Sequence, residues 1–196
     1  MEKPAITDHP VHELFARRWS PRSFLDRPVE SEKLRSALEA ARWAASCFNE
    51  QPWCFIVARR DSGDEFRPML ECLMPGNQAW AATAGVLILS VARNTFTRND
   101  QPNRHAFHDV GLATAQLVLQ ATDDGLSVHQ MAGFDRDRAR ESYGIPEGFD
   151  PVAVIALGYR GEPDALSEEL KARELAPRAR RTQQEFVFSG AWGNPA

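Results

Sequence analysis

Arg17-Arg18-Trp19-Ser20-Pro21-Arg22 places three guanidinium groups and a hydroxyl within six residues, directly after a short helical stretch, Val11–Arg17. Guanidinium forks hold phosphate bidentately and a hydroxyl adds a short hydrogen bond, so the chemistry on offer is anion binding. A solvated basic turn has the same composition, and the segment alone leaves both readings open.

Three further segments carry polar groups in patterns that suit a ligand. Ser46-Cys47-Phe48-Asn49-Glu50-Gln51-Pro52-Trp53 lies between a helix end and a strand start. Its amides offer donor and acceptor together, which matches the alternating edge of a flavin pyrimidine ring or ribityl hydroxyls. It is equally what a turn looks like when a Trp enters the core. In Gly76-Asn77-Gln78-Ala79-Trp80 and Gln130-Met131-Ala132-Gly133-Phe134-Asp135, a glycine beside a turn lets backbone N–H groups approach a ligand closely. An N–H directed at a flavin ring stabilises the negative charge left by reduction, and a plain loop capping an Asp135 helix fits the same residues. Arg178-Ala179-Arg180-Arg181 adds a basic cluster that also reads as a solvated tail.

The elements that must position these segments alternate in type. Trp53–Ala58, Gly85–Val91 and Pro151–Leu157 are short Val/Ile/Leu/Phe-rich runs, read as buried strands. Ser31–Ala45 sets Leu34, Ala37, Leu38 and Ala41 on one helical face, with Ser31 as expected N-cap. Ala106–Asp124 repeats Val110, Ala113, Leu117 and Ala121 at helical spacing and stops at Gly125. Leu112, Ala115, Val118 and Leu119 make that helix apolar nearly all round, as in a domain core or a subunit interface. Asp135 is placed to cap a helix ending near Gly144, where Ile145-Pro146 forces an exit. From Gly161 the chain is polar until Glu185-Phe186-Val187-Phe188, a pattern that suits an arm reaching a partner subunit.

The 196 residues suit one domain, 43% hydrophobic and 26% charged, with α+β organisation and a sheet covered by helices. A net charge of −4 disfavours nucleic-acid binding. No apolar run approaches the ~20 residues of a membrane span, and the first ten residues lack a signal-peptide core. Cys47, Cys54 and Cys72, without a CxxC pair, read as reduced thiols, and the expected compartment is the cytoplasm. His105 and His108 share a helix face but lack a third metal ligand at an expected spacing. No GxSxG, Walker A or GxGxxG motif follows a strand, which leaves hydrolase, NTPase and Rossmann readings unsupported.

Taken in order, these segments are similar to those of the nitroreductase family of FMN enzymes. Asp109-Val110-Gly111-Leu112-Ala113 and Ala156-Leu157-Gly158-Tyr159 belong to the same series, and the resemblance runs roughly from His12 to Arg181. It implies a mainly antiparallel sheet covered by helices, in an intertwined homodimer. Residues 1–196 would form one unit whose C-terminal arm, about 160–196, reaches the partner.

The resemblance also implies a site. Arg18, Trp19, Ser20 and Arg22 would hold the FMN phosphate and ribityl chain, joined by Arg178 and Arg180. Asn77 would meet the pyrimidine side, Trp80 would stand beside it where many relatives carry a basic residue, and Ala132 and Gly133 would present backbone N–H groups. Ser46, Cys47, Phe48, Asn49 and Gln51 would come from the second subunit. The implied activity is hydride transfer from NAD(P)H to a small organic acceptor, such as a nitroaromatic or quinone, by a ping-pong cycle. No residue need act as a covalent or general-base catalyst. Flavin sequestration without turnover, or another redox reaction on the same fold, remains open, as does the role of Asn94–Arg104.

Overall fold

The structure, a computed structural model, describes residues 2–196; residue 1, part of the expected unit, lies outside them. Its centre is β2 (Val86–Arg93), seven of whose eight residues are buried. Alternate side chains of a strand point to opposite faces, and here both faces are apolar. Leu87, Leu89 and Val91 join one core cluster, while Val86 and Ile88 join another. A strand covered on both sides reads as a continuous hydrophobic run, which is why this segment stands out in the sequence.

β1 (Trp53–Arg59) and β4 (Phe149–Gly158) flank β2, and β3 (Ser127–Met131) pairs with β4, giving the order β1-β2-β4-β3. Every neighbouring pair is antiparallel. α2 (Ser31–Arg42) and α5 (Ala106–Asp123) pack together and cover one face through Leu34, Ala37, Ala113 and Leu117. α3 (Phe66–Cys72), α4 (Pro75–Ala81) and α6 (Arg136–Tyr143) cover the other. α1 (Glu13–Arg17) packs on α5, and α7 (Glu168–Leu175) packs on the turn at Pro163–Ala165. The α+β architecture is the one expected.

Several local expectations change. The N-cap of α2 is Glu30, and Ser31 is the first helical residue, its hydroxyl accepting from Arg59 at 3.3 Å. Gly76 lies inside α4, whose first turn begins at Pro75, so it marks a helix start in place of a turn. The expected C-terminal arm folds back in its first half, because Glu174 and Arg178 bond to residues 3–23 of the same chain.

Asp135 caps α6 as expected, accepting the Arg138 N–H at 2.9 Å, and Gly144 closes the helix at φ 57°. Loss of a side-chain N-cap costs about 1 kcal/mol. Asp135→Ala is therefore expected to lower the thermal midpoint by about 2–4 °C in scanning calorimetry, with Asp135→Asn close to the parent.

Candidate functional site

Arg18, Trp19, Ser20, Arg22, Arg178 and Arg180 line one cavity of about 210 Å³, together with Lys3 and Arg173. Hydrogen bonds made by side chains, mostly to the backbone, assemble this cluster. The Arg178 guanidinium donates to the carbonyls of Lys3 at 2.6 Å, Ala16 at 2.8 Å and Arg18 at 2.8 Å, tying the chain's two ends together. Glu174, only 1% exposed, accepts the Arg22 N–H through both oxygens at 3.0 Å. The Lys3 ammonium donates to the Glu174 carbonyl at 2.6 Å and sits 4.9 Å from the Trp19 ring centre. Arg18 donates to the Ser20 hydroxyl at 3.2 Å.

The cluster carries surplus positive charge. Burial first, then the charges of Arg178 and Arg180, hold Arg18 below the ordinary arginine value. Burial and Arg180 do the same to Arg178. Glu174 is the buried carboxylate beside them, and its oxygens are turned to the backbone N–H groups of Arg22 and Ser23. A phosphate monoester fits such a site: it relieves like-charge repulsion and accepts from several donors at once. The Trp19 indole N–H is enclosed and has no hydrogen-bond partner among the described residues. The phosphate end of FMN is matched by what these residues offer.

The two glycine-bearing segments also converge. The Asn77 amide donates to the Gly133 carbonyl at 2.9 Å, and the Met74 N–H donates to the same oxygen at 3.0 Å. A Cβ built on Gly133 would stand 2.8 Å from the Asn77 amide nitrogen, so a side chain there would displace that amide. Ala132 beside it is exposed. Trp80, expected as a cofactor contact, lies in the core. It is 2% exposed, with its ring against Phe24 at 6.2 Å and His129 at 4.6 Å. A large apolar ring is drawn into the core where a charged side chain would have stayed out.

The Ser46–Gln51 loop stands elsewhere. Phe48, Asn49 and Gln51 adopt left-handed φ values of 54°, 57° and 51°, which for non-glycine residues stores strain of the kind found at functional sites. Fixed partners hold it: the Cys47 N–H donates to buried Asp109 at 2.9 Å, and the Gln51 N–H donates to the Ser46 hydroxyl at 3.0 Å. The loop feeds β1, one edge of the sheet, whereas Pro21 bonds to His129 on β3, the opposite edge. With β2 and β4 between them, those edges are separated by roughly 15 Å. One chain thus unites the Arg18–Arg22, Arg178–Arg180 and Asn77–Gly133 groups along the β3 side and leaves Ser46, Cys47, Phe48, Asn49 and Gln51 apart.

Lys3, Arg173 and Glu174 were not singled out in the sequence. Glu174 looks like its exposed neighbours Glu168 and Glu169, and only its inward turn at the end of α7 distinguishes it. Asp109 had a signal, an acid in the first turn of a largely apolar helix.

His129 lies beside this site with its Nδ1 2.9 Å from the Pro21 carbonyl, a distance that assigns the proton to Nδ1. Burial, reinforced by the charges of Arg22 and Arg18, pushes its pKa down to about 4. An unfolded histidine takes up its proton near pH 6.5, which folded His129 refuses until about pH 4. Stability is therefore full above pH 6.5 and lost as pH falls through that window, by roughly 3 kcal/mol. Urea unfolding at pH 7 and pH 4.5 is expected to show a larger acid loss for the parent than for His129→Gln; equal losses would contradict this origin.

The sequence profile of the nitroreductase family matches residues 15–159. A solved structure described as an oxidoreductase containing FMN superposes with a TM-score of 0.91 at 35% identity, covering 96% of each chain. A 15.4 kDa protein of Mycolicibacterium smegmatis is 37% identical over 147 residues, 72% of this chain and 98% of its own length. An NADH dehydrogenase of Thermus thermophilus is 28% identical over 186 residues, 79% of this chain and 88% of its own. The matched span includes Arg18–Arg22, the Ser46–Gln51 loop, Asn77 and Gly133, and the chain belongs to the nitroreductase family.

Proposed function

We propose that this chain is an FMN-dependent oxidoreductase that passes hydride from NAD(P)H to a small organic acceptor, nitroaromatic, quinone or similar, in a ping-pong cycle. The observation that carries the reading is the cation-lined cavity, assembled from the Arg18–Arg22 and Arg178–Arg180 segments expected at a phosphate. Bound there, FMN supplies a two-electron carrier between a nicotinamide and an acceptor. Arg18, Ser20, Arg22, Arg180 and Lys3 neutralise and hydrogen-bond its phosphate. Arg178 and Glu174 hold the backbone from which Arg18 and Arg22 project. Asn77 and the backbone N–H groups of Ala132 and Gly133 serve the pyrimidine side. No side chain of the site is assigned a covalent or proton-transfer role.

We also propose a homodimer, for two physical reasons. Phe107, Gly111, Leu112 and Ala115 form an exposed apolar stripe on α5, and Gly111 has open space where a Cβ would stand. Burying that stripe against a second copy would return apolar area to the interior, at about 25 cal/mol per Å². A second copy is also what would carry a Ser46–Gln51 loop to the β3 side, and residues 181–196, with Trp192 92% exposed, are free to reach it. Among the described residues no helix is long and apolar enough to cross a membrane, and the cytoplasm is the compartment we propose.

The purified protein is expected to be yellow and to bleach when titrated anaerobically with NADH or NADPH. A protein that stays colourless after incubation with FMN would sink the reading, and a yellow protein that never bleaches would reduce it to flavin binding. Leu112→Glu, at a site 37% exposed and outside the core, is expected to give a folded monomer with at least tenfold weaker FMN binding. An FMN-replete monomer would refute the shared site.

A further inference from the structure

The Ser46–Gln51 loop and the Asn94–Arg104 segment are built as one unit. The Glu50 carboxylate accepts the Thr97 N–H at 2.7 Å and the Thr97 hydroxyl at 3.3 Å, binding the segment to the loop. Asn94 anchors the other end, its N–H to the Gly148 carbonyl at 2.8 Å and its amide to Asp150 at 2.8 Å. Between these anchors Phe96 turns inward, and its ring meets the Phe48 ring edge-on with centroids 6.0 Å apart. Phe48 itself is 71% exposed on a left-handed backbone, an unusual outlay of strain for a large apolar side chain left in water.

Arg98 lies over this pair, 4.2 Å from the Phe48 ring centre and 5.3 Å from that of Phe96. Two carboxylates at this segment are engaged elsewhere, Glu50 with Thr97 and Asp100 with Arg93 at 3.7 Å. Among the described residues Arg98 has no carboxylate partner within 4.0 Å. Its guanidinium face is spent on aromatic rings while its N–H edge stays unpaired.

We infer that Phe48, backed by the buried Phe96 ring, and Arg98 form the platform that receives the acceptor, and that Arg98 selects planar acceptors bearing an anionic group such as a carboxylate. The inference rests on the proposed placement of the Ser46–Gln51 loop at the flavin. An aromatic surface supplies area for a flat ring, and a guanidinium edge beside it supplies a bidentate partner for a carboxylate. Neutral acceptors would use the aromatic surface alone. Arg98 is a specificity-determining residue in this reading and takes no part in the electron transfer.

The test compares 4-nitrobenzoate with its neutral isostere 4-nitrobenzamide on the FMN-loaded protein. Arg98→Ala is expected to raise the KM for nitrobenzoate about tenfold more than that for nitrobenzamide, with Arg98→Lys restoring part of the difference. Phe48→Leu is expected to raise both KM values together. Equal effects of Arg98→Ala on the two acceptors would overturn the assignment. So would slower flavin reduction by NADPH than by NADH in the variant, which would give Arg98 to the dinucleotide phosphate. Calorimetric titration of the oxidised protein with each nitro compound, without reductant, reads the same preference independently of turnover. A preference there that Arg98→Ala abolishes supports the platform even if NAD(P)H fails to bleach the flavin, and no preference overturns it whatever the flavin does.

Discussion

Several cations around a small cavity repel one another, and the chain's N- and C-terminal segments are arranged to hold them there. Burial and mutual repulsion both work against Arg18 and Arg178. The opposing forces are specific hydrogen bonds. Arg178 grips three backbone carbonyls, and buried Glu174 takes the N–H groups of Arg22 and Ser23. Glu174 at the end of α7 is an uncommon residue to find fully buried, and it is tolerated because its oxygens are fully occupied. An anion in the cavity would complete the balance, which links the docking of residues 3–5 and 174–180 to ligand binding.

The sheet sets where this cluster sits relative to the other polar loop. β2 and β4, covered on both faces, fix the spacing between the β3 edge and the β1 edge. The Ser46–Gln51 loop is held by Asp109, which reaches it from the first turn of α5. The same helix exposes Phe107, Leu112 and Ala115. One element therefore both secures the strained loop and carries the apolar surface proposed for a second copy. A change that tilts α5 would disturb both together.

Trp80 illustrates how sequence position and physical role part company. It stands three residues after Asn77 on α4, and by resemblance both belong to a ligand site. Asn77 does reach Gly133, but the indole is covered by Phe24 and His129 and supports the strand side from within. Its presence in the low-dielectric core beside His129 also contributes to the burial that keeps that imidazole neutral.

By itself the sequence determined the α+β class, β1, β2, β4, α2, α5 and α6 to within a few residues, and the segments that carry polar chemistry. These are legible because hydrophobic periodicity, an Asp cap and a Gly stop are local signals, decided within a few turns of chain. It also marked Arg18, Ser20, Arg22, Arg178 and Arg180, since clustered guanidinium groups need no partner to be noticed. Only the tertiary structure decided that Glu174 turns inward, that Arg178 spends its hydrogen bonds on the backbone of residues 3–18, and that Trp80 is core. Only the sheet order decided that the Ser46–Gln51 loop and the cation cluster lie at opposite edges. Each of these depends on contacts between residues tens to more than a hundred positions apart, where burial and pairing are set by packing and leave no trace in local residue type.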